Sequence, residues 1–333
     1  MMGSVKVSII VPMYNVEKYI EKCIASTYEQ SLEENDFELV IVDDESPDNS
    51  LEIAREIEKK HGNIKIISQK NKGLGGARNT GIQHASGDYL LFLDSDDTLL
   101  KSSLPPILSL AEERELDILE FGAQGVNGNE DIVFKVSNSS KGNIFNGISY
   151  YNNTVYLGSA CNKLYRRAFL LEKRLLFREK VYAEDFEFNT RALYYAEKVE
   201  AIDIIVASWL QNEQSITRDR NLAKKDKYIA DIISNLTHLT AFREQYRDKE
   251  DEATKAFFSE RFTMLNIDIF YQLFKNSYPL NRIREVRKEL KEKGLLHTTH
   301  PVRDKKKNLF RKVLMNNSFV FGIVQFSKRL IRS

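Results

Sequence analysis

The chain has 333 residues, with 49 Lys and Arg against 48 Asp and Glu and a net charge of +1, so its overall charge gives no reason to expect a nucleic-acid partner. Hydrophobic residues make up 42% and charged residues 29%, which is ordinary for one or two globular domains. Its two cysteines, Cys23 and Cys161, lie far apart, which suits a reducing cytosol and argues against a disulfide scaffold or a structural zinc site. No apolar run approaches the ~20 residues of a spanning helix. The start MMGSVKVSII lacks a basic region followed by a long apolar one. The expected location is cytoplasmic, or peripheral on the cytoplasmic face of a membrane.

The first hundred residues alternate strand and helix. VKVSIIVPMYN is an apolar, β-rich run. Residues 16–28 place Val16, Tyr19, Ile20, Cys23, Ile24 and Thr27 on one helical face. ELVIVDD reads as a second buried strand, and SLEIAREIEKKHG as a helix capped by Ser50 and closed by Gly62. NIKIIS and DYLLFLD are the third and fourth strands. Between them, NKGLGGARNTGIQHASG reads as a flexible Gly-rich turn, then a short helix carrying Arg78 and Asn79. Strands separated by helices of ~10–15 residues imply βαβ units and a mainly parallel sheet. LPPILSLAEERELD predicts a helix with prolines in its first turn, DILEFGAQ a strand and DIVFKV an antiparallel edge strand. Residues 125–147 read mostly as loops, and 186–199 as an amphipathic helix. From about residue 221 the pattern is all-helical. The expected division is 1–218 as the catalytic domain, with halves at about 1–97 and 98–218, and 219–333 as a helical region.

Acidic strand ends carry the functional signal. The fourth strand closes in Asp94-Ser95-Asp96-Asp97. Carboxylates crowded there repel one another unless a cation sits between them, and the C-terminal end of an open α/β sheet is where ligands bind. The economical reading is Mg²⁺ or Mn²⁺ holding a phosphorylated substrate, with Arg78 as a further counter-charge. The second strand ends in Asp43-Asp44-Glu45-Ser46, where adjacent acids can accept from a base or a ribose; the alternative is helix capping by Asp48 or Ser50. The first ends in Pro12-Met13-Tyr14-Asn15, where Tyr14 either stacks on a nucleobase or packs a turn. Glu184 and Asp185 head a helix, as a general base or as partners of the helix dipole. GLGG fits a dinucleotide fingerprint poorly, because Arg78 stands at its last Gly position. The five histidines form no metal pattern.

Five segments in order, SIIVPMYNVEKYIEKCIAS, ELVIVDDESPDNS, NKGLGGARNTGIQHASGDYLLFLDSDD, NKLYRR and EDFEFNTRALYYAEKV, resemble family 2 glycosyltransferases of the GT-A fold and cover roughly residues 8–199. The nearest likeness is to bacterial enzymes of capsule, exopolysaccharide or O-chain synthesis. The resemblance implies an α/β, Rossmann-like sheet flanked by helices with a C-terminal helical region. It also implies inverting transfer from a nucleotide-sugar donor, UDP-linked by expectation, to a glycan or lipid-linked sugar acceptor. Carried over position by position, it places the donor at Pro12, Tyr14, Asp43, Arg78, Asp94 and Ser95, the Mg²⁺ or Mn²⁺ at Asp96, and the catalytic base at Asp185. Three departures stand out. Glu45 replaces the usual Gly of DDGS, Cys161 replaces an aromatic before NKLY, and WLQNEQSIT at 209–217 lacks the Arg or His often found before its Ser.

Two other readings compete. A sugar nucleotidyltransferase would carry a Gly-rich, basic loop after the first strand, and VPMYNVEKY has no Gly. An inactive nucleotide-sugar-binding scaffold would have lost Asp96 or Asp185. Residues 301–333 hold nine Lys or Arg and one acid, Asp304, interleaved with large apolar residues. Such a tail either lies on an anionic membrane surface or packs on the catalytic domain. Nothing in the sequence specifies an oligomeric state.

Overall fold

The structure is a computed structural model, and it describes residues 5–211, 221–317, 321 and 324. The chain divides into two compact units, Met1–Ser215 and Ile216–Ser333.

The first unit is built on one mixed sheet. Its strands are β1 (Val7–Met13), β2 (Phe37–Asp43), β3 (Ile64–Ser68), β4 (Tyr89–Phe92), β5 (Thr98–Leu99), β6 (Ile118–Val126), β7 (Ile132–Val136), β8 (Lys163–Arg166) and β9 (Val199–Leu210). Their order is β3-β2-β1-β4-β8-β6-β9-β5, with β7 on β6. The part β3-β2-β1-β4 is parallel, as the strand–helix alternation predicts. Beyond β4 the sheet is mixed: β8 runs antiparallel to β4 and β6, and β9 is parallel to β6. β1 and β4 are buried along their whole length, so they read as apolar runs rather than alternations. Pro12 is tolerated in this central strand for a local reason. The Ile10 carbonyl bonds Leu93 on the β4 side, and Pro12, two residues on, turns the same way. The β1–β4 register ends at Ile10, so the missing N–H has no ladder partner to lose.

The connecting helices are α1 (Ile20–Tyr28), α2 (Ser50–Glu58), α3 (Gly73–His84), α4 (Leu104–Arg114), α5 (Gly147–Asn153), α6 (Arg167–Glu172) and α7 (Glu184–Tyr195). In α1 the expected face, Ile20, Cys23, Ile24 and Thr27, is buried, although the helix begins four residues later than its periodicity starts. α2 is capped at Asn49 rather than Ser50. The Ser50 hydroxyl instead accepts from the Val16 N–H at 2.9 Å, and Asp48 accepts from the Glu17 N–H at 2.9 Å. These bonds tie the loops after β1 and β2 together at the sheet's C-terminal edge. The Gly-rich run is the first turn of α3, not a free loop. α7 stops at Tyr195, four residues short of the expected end, because Val199 opens the long strand β9.

The second unit is helical from residue 222, as its sequence predicts: α8 (Leu222–Glu244), α9 (Glu252–Lys275), α10 (Leu280–Glu292) and α11 (Lys305–Phe310), followed by a π-type turn at Arg311–Met315. Phe257, Phe258, Phe262 and Phe270 of α9 are fully or almost fully buried. Arg243 of α8 grips Glu250 through two bonds of 2.7 and 2.9 Å. Among the described residues no helix is long and apolar enough to cross a membrane.

Candidate active site

The C-terminal ends of β1, β2 and β4 and the head of α7 carry the acids and aromatics singled out in the sequence. Tyr14 leaves β1 half exposed, at 50%, followed by Asn15 in the left-handed region at φ 56. Asp43 is buried, and its carboxylate accepts from the Ser46 N–H at 3.1 Å. Glu45 lies at φ 67, so the chain does adopt here the conformation for which Gly is the unstrained choice. Its carboxylate accepts from the Asn71 N–H at 3.2 Å.

Asp44 does work that sequence reasoning did not assign. Its oxygens accept from the N–H groups of Lys72 and Gly73, both at 2.8 Å, and from the Gln69 amide at 2.7 Å. A buried carboxylate thus satisfies the first N–H groups of α3 and meets the positive end of its dipole. Two consecutive acids at a strand end were the available signal: one turns its own loop and the other caps the next helix.

The glycines of α3 serve close packing. A Cβ on Gly75 would lie 2.2 Å from the Arg178 carbonyl oxygen. Gly73 holds φ +74, and a Cβ there would lie 3.2 Å from the Lys180 backbone. Asn79 clasps the same loop, donating to the Phe177 carbonyl at 2.9 Å and accepting from its N–H at 2.7 Å. The loop 177–183 is therefore laid along α3 before it delivers Glu184 and Asp185. It arrives through Ala183 at φ 56, a strained conformation for a residue with a side chain and one that clusters at functional sites.

Arg78 sits at the centre, only 3% exposed. It donates to Asp94 at 2.8 Å and to Glu184 at 2.7 Å. A weaker contact of 3.4 Å reaches the Cys161 sulfur. Its guanidinium lies 5.2 Å from the centre of the Phe177 ring, within reach of a cation–π attraction. The expectation of Arg78 as a counter-charge thus has a geometric partner in Asp94. Glu184, read from the sequence with Asp185 as a general base or a partner of the helix dipole, is the second carboxylate on this arginine. The sequence clue was an arginine buried on a Gly-rich helix, which must find acids to pair with.

Asp185 stands differently. It is partly exposed at the first turn of α7, and its carboxylate accepts from the Phe186 N–H at 2.8 Å. Burial raises its pKa above the usual Asp range, against the opposing charge of Arg78. Burial also pushes Glu184 up to about 7, with Arg78 opposing and Asp185 adding. Glu187, one turn on, is fully buried and bound to Arg191 at 2.6 Å, which makes it part of the helix's own support.

On β4's exit, Asp94 spends one oxygen on Arg78 and Asp97 spends one on the Leu210 N–H at 2.7 Å. Ser95 is buried. Asp96 is pushed up to about 6 by burial and by the charge of Asp94, and Asp97 is raised by burial, Asp96 and Asp94. Carboxylates that favour protonation in this way are under-compensated, and a divalent cation would relieve them, so the residues fit Mg²⁺ or Mn²⁺. Among the described residues no group of three or more His, Cys, Asp or Glu is placed to hold a metal ion. A divalent ion here would therefore need ligands from a substrate, as Mg²⁺ commonly does with phosphates. Asp96 also borders a cavity of about 570 Å³ lined by Tyr19, Lys22, Thr98, Asn127 and Ser208.

The NKLYRR segment is structural support. Lys163 is buried and donates to the carbonyls of Leu157 and Ser159 at 2.6 and 2.7 Å, and lies 3.2 Å from Glu120. It fixes the loop that brings Cys161 against Arg78. Of the segment 209–217, residues 212–217 lie outside the described residues.

Comparisons with known proteins bear on the family and the fold, and the chain spans less than two thirds of the length of curated relatives such as EpsJ and EpsH. The model of glycosyl transferase family 2 matches residues 8–172. The chain is 36% identical over 217 residues to the uncharacterized glycosyltransferase EpsJ of Bacillus subtilis (strain 168), covering 63% of this chain and 62% of that protein. The crystal structure of S. aureus TarS 1-349 in complex with UDP-GlcNAc superposes with a TM-score of 0.57 at 23% identity, over 88% of this chain and 90% of that one. The mannosyltransferase PcManGT from Pyrobaculum calidifontis, in complex with GDP-Man and Mn2+, gives a TM-score of 0.54 at 17% identity, over 98% of this chain and 87% of that one. At such identities these two structures speak for the fold, which is the GT-A type α/β arrangement with C-terminal helices expected from the motifs. Fold, motif order and family model converge, and residues 8–172 of the chain belong to glycosyl transferase family 2.

Proposed function

We propose that this protein is an inverting glycosyltransferase that moves a sugar from a nucleotide-sugar donor, UDP-linked, to a hydroxyl of a glycan or lipid-linked acceptor in surface-polysaccharide synthesis. The observation that carries the reading is the division of labour at the head of α7. Glu184 is bound by Arg78 and joined through it to Asp94, while Asp185, a less buried residue than Glu184, has a pKa raised by desolvation.

In this reading Tyr14 stacks on the donor base and Asp43 accepts from it, with Pro12 shaping the strand end beneath. Asp94 and Ser95 meet the ribose and sugar, held in place by Arg78. Asp185 takes the proton from the acceptor hydroxyl. That oxygen attacks the anomeric carbon from the face opposite the diphosphate. The bond between sugar and diphosphate breaks, the nucleoside diphosphate leaves, and the configuration inverts. Asp96 would hold Mg²⁺ or Mn²⁺, whose chemistry when bound is to offset charge on the departing diphosphate. One direct displacement needs one base and no protein nucleophile. The relative TarS, named a poly(ribitol-phosphate) beta-N-acetylglucosaminyltransferase and solved in complex with UDP-GlcNAc, supports a UDP-sugar, and the Mn2+ beside GDP-Man in PcManGT supports a metal-assisted reaction.

The experiment is turnover of UDP-, GDP- and dTDP-sugars by wild type and by Asp185→Asn. Asp185→Asn is expected to lower turnover by roughly 10²-fold or more while donor binding, read by calorimetry, persists. Normal turnover by the variant would remove Asp185 from the role of base. No turnover of any donor by wild type, with donor binding intact, would favour the binding-scaffold reading.

A further inference from the structure

We propose that the exposed face of Lys305–Met315 is a docking stripe for the headgroup region of an anionic lipid bilayer. The six residues of α11 run without a break into the π-type turn Arg311–Met315, so the segment acts as one short helix. Its inner side is committed. Arg311 is buried and donates to the carbonyls of Thr298 and Thr299 at 2.8 and 2.9 Å and to Asn308 at 3.0 Å. Met315 is fully buried, and its carbonyl accepts from Arg287. The Phe310 ring lies 5.8 Å from Tyr271 and 6.1 Å from Phe274 of α9. These contacts fix which way the segment faces.

What remains outward is two apolar residues among lysines. Leu309 is 62% and Val313 45% exposed, and Lys305, Lys306, Lys307 and Lys312 are exposed as well. Lys305, Lys306, Lys312, Leu309 and Val313 are thus all exposed on this short segment, with the apolar pair lying among the lysines. The neighbouring acid, Asp304, caps the helix by accepting from the Lys307 N–H at 2.9 Å.

That arrangement suits a bilayer better than a protein partner. A Leu–Val pair flanked by lysines can sink its apolar side chains to the acyl boundary while the ammonium groups remain among phosphates. The segment 304–315 carries four exposed lysines against one acid, Asp304, so an anionic leaflet complements it in charge. The sequence suggested a membrane through the whole basic tail. The structure withdraws Arg311, Phe310, Met315 and Phe321 from that role, because all four are buried or packed, and leaves a defined stripe. The inference does not rest on the transferase reading, since vesicle binding is measured without turnover.

The test is flotation of the full-length protein with vesicles of phosphatidylcholine alone or containing phosphatidylglycerol. Binding is expected only to the anionic vesicles, weakening as salt is raised. Leu309→Asp with Val313→Asp should lower the bound fraction at least about tenfold, as should Lys305→Glu, Lys306→Glu and Lys312→Glu together. Donor binding and the thermal midpoint should hold in both variants. Leu309→Ser with Val313→Ser repeats the test should the aspartates lower the midpoint. Equal binding to neutral vesicles, or anionic binding that survives the loss of the apolar pair, overturns the proposal. The second result would mark a general polyanion site, which competition by heparin would identify.

Discussion

Arg78 and Glu184 lie 106 residues apart in sequence and 2.7 Å apart in space, and this bond joins the Gly-rich helix to the segment that carries Asp185, the proposed base. Because Arg78 also holds Asp94, one cation sets the position of the acidic strand end and of the α7 start together. Of its two partners, Glu184 is buried and Asp94 is half-buried. Breaking a buried ion pair by removing one partner costs about 3–5 kcal/mol, since the other charge is left uncompensated. Arg78→Ala is expected to lower the unfolding free energy of the first unit by an amount of that order, with a matching fall in its denaturation midpoint, and to abolish turnover. Arg78→Lys should recover only part of either, because an ammonium cannot reproduce the forked geometry. Chemical denaturation followed by the fluorescence of Trp209 checks this, and an unchanged midpoint in Arg78→Ala would show that the bridge contributes little.

The pH profile follows from the same pair. A base must be ionised to accept a proton, so turnover should fall as pH drops through the pKa of Asp185. Burial raises that pKa, so the acid limb of kcat/KM is expected above the ~3.9 of an ordinary Asp. A limb at or below that value would point to a solvated base elsewhere.

Glu184 gives a stability signature of opposite sense to a salt-bridged surface acid. Its folded pKa is about 7, above the ordinary 4.5. Below the unfolded value both states hold the proton and the group is neutral to folding. Between the two values the folded state holds a proton that the unfolded state has lost, so stability declines as pH rises through this window. Glu184→Gln retains an oxygen acceptor for Arg78 and removes the titration. Midpoints measured from about pH 5 to 7 should fall less steeply in this variant than in wild type. Parallel slopes would assign the decline to the other raised carboxyls, Asp96, Asp97 and Asp185.

Asp96 is the test of the cation. Mg²⁺ or Mn²⁺ added together with UDP should raise the thermal midpoint of wild type by mass action, because the ligands bind the folded state. Asp96→Ala should lose the metal-dependent part of that rise and all transfer activity. Full activity of the purified protein in excess chelator would end the metal-assisted reading.

Much of this architecture can be read from the chain because it is local. The apolar runs of β1, β2 and β4 and the helices between them follow from short-range periodicity, and the acids at their ends fall where parallel strands deliver side chains. Glu45 shows how a departure from a pattern can carry structural information: a residue in place of Gly does sit at positive φ. What the sequence concealed is long-range pairing. The Arg78–Glu184 bond, the clasp of Asn79 on Phe177 and the burial of Lys163 beside Glu120 each join residues on different elements. No window along the chain contains both partners. The strand β9 was obscured for a related reason. Its pairing with β6 shifts register at Glu120–Gly122 and Gly122–Ala123, which breaks the alternation that would mark it.

The same reasoning makes two glycines behave oppositely. Gly75 lies where α3 meets the 177–180 loop, and an added Cβ would lie 2.2 Å from the Arg178 carbonyl oxygen. Backbone, not a flexible side-chain end, is in the way, so either the loop or the helix must move. Overpacking of this kind costs typically 1–3 kcal/mol. Here the displaced loop leads into Ala183, Glu184 and Asp185, so Gly75→Ala should lose activity out of proportion to its loss of stability. Gly62, after α2, has no atom within 4 Å of an added Cβ. Gly62→Ala restricts the unfolded chain without a clash and should be neutral or stabilising by up to about 1 kcal/mol, with turnover unchanged. Denaturant midpoints and kcat measured on the two variants side by side separate a specific loop displacement from a general cost of replacing glycine. Equal effects at both positions would show that the approach of the loop to α3 is not what positions the acids.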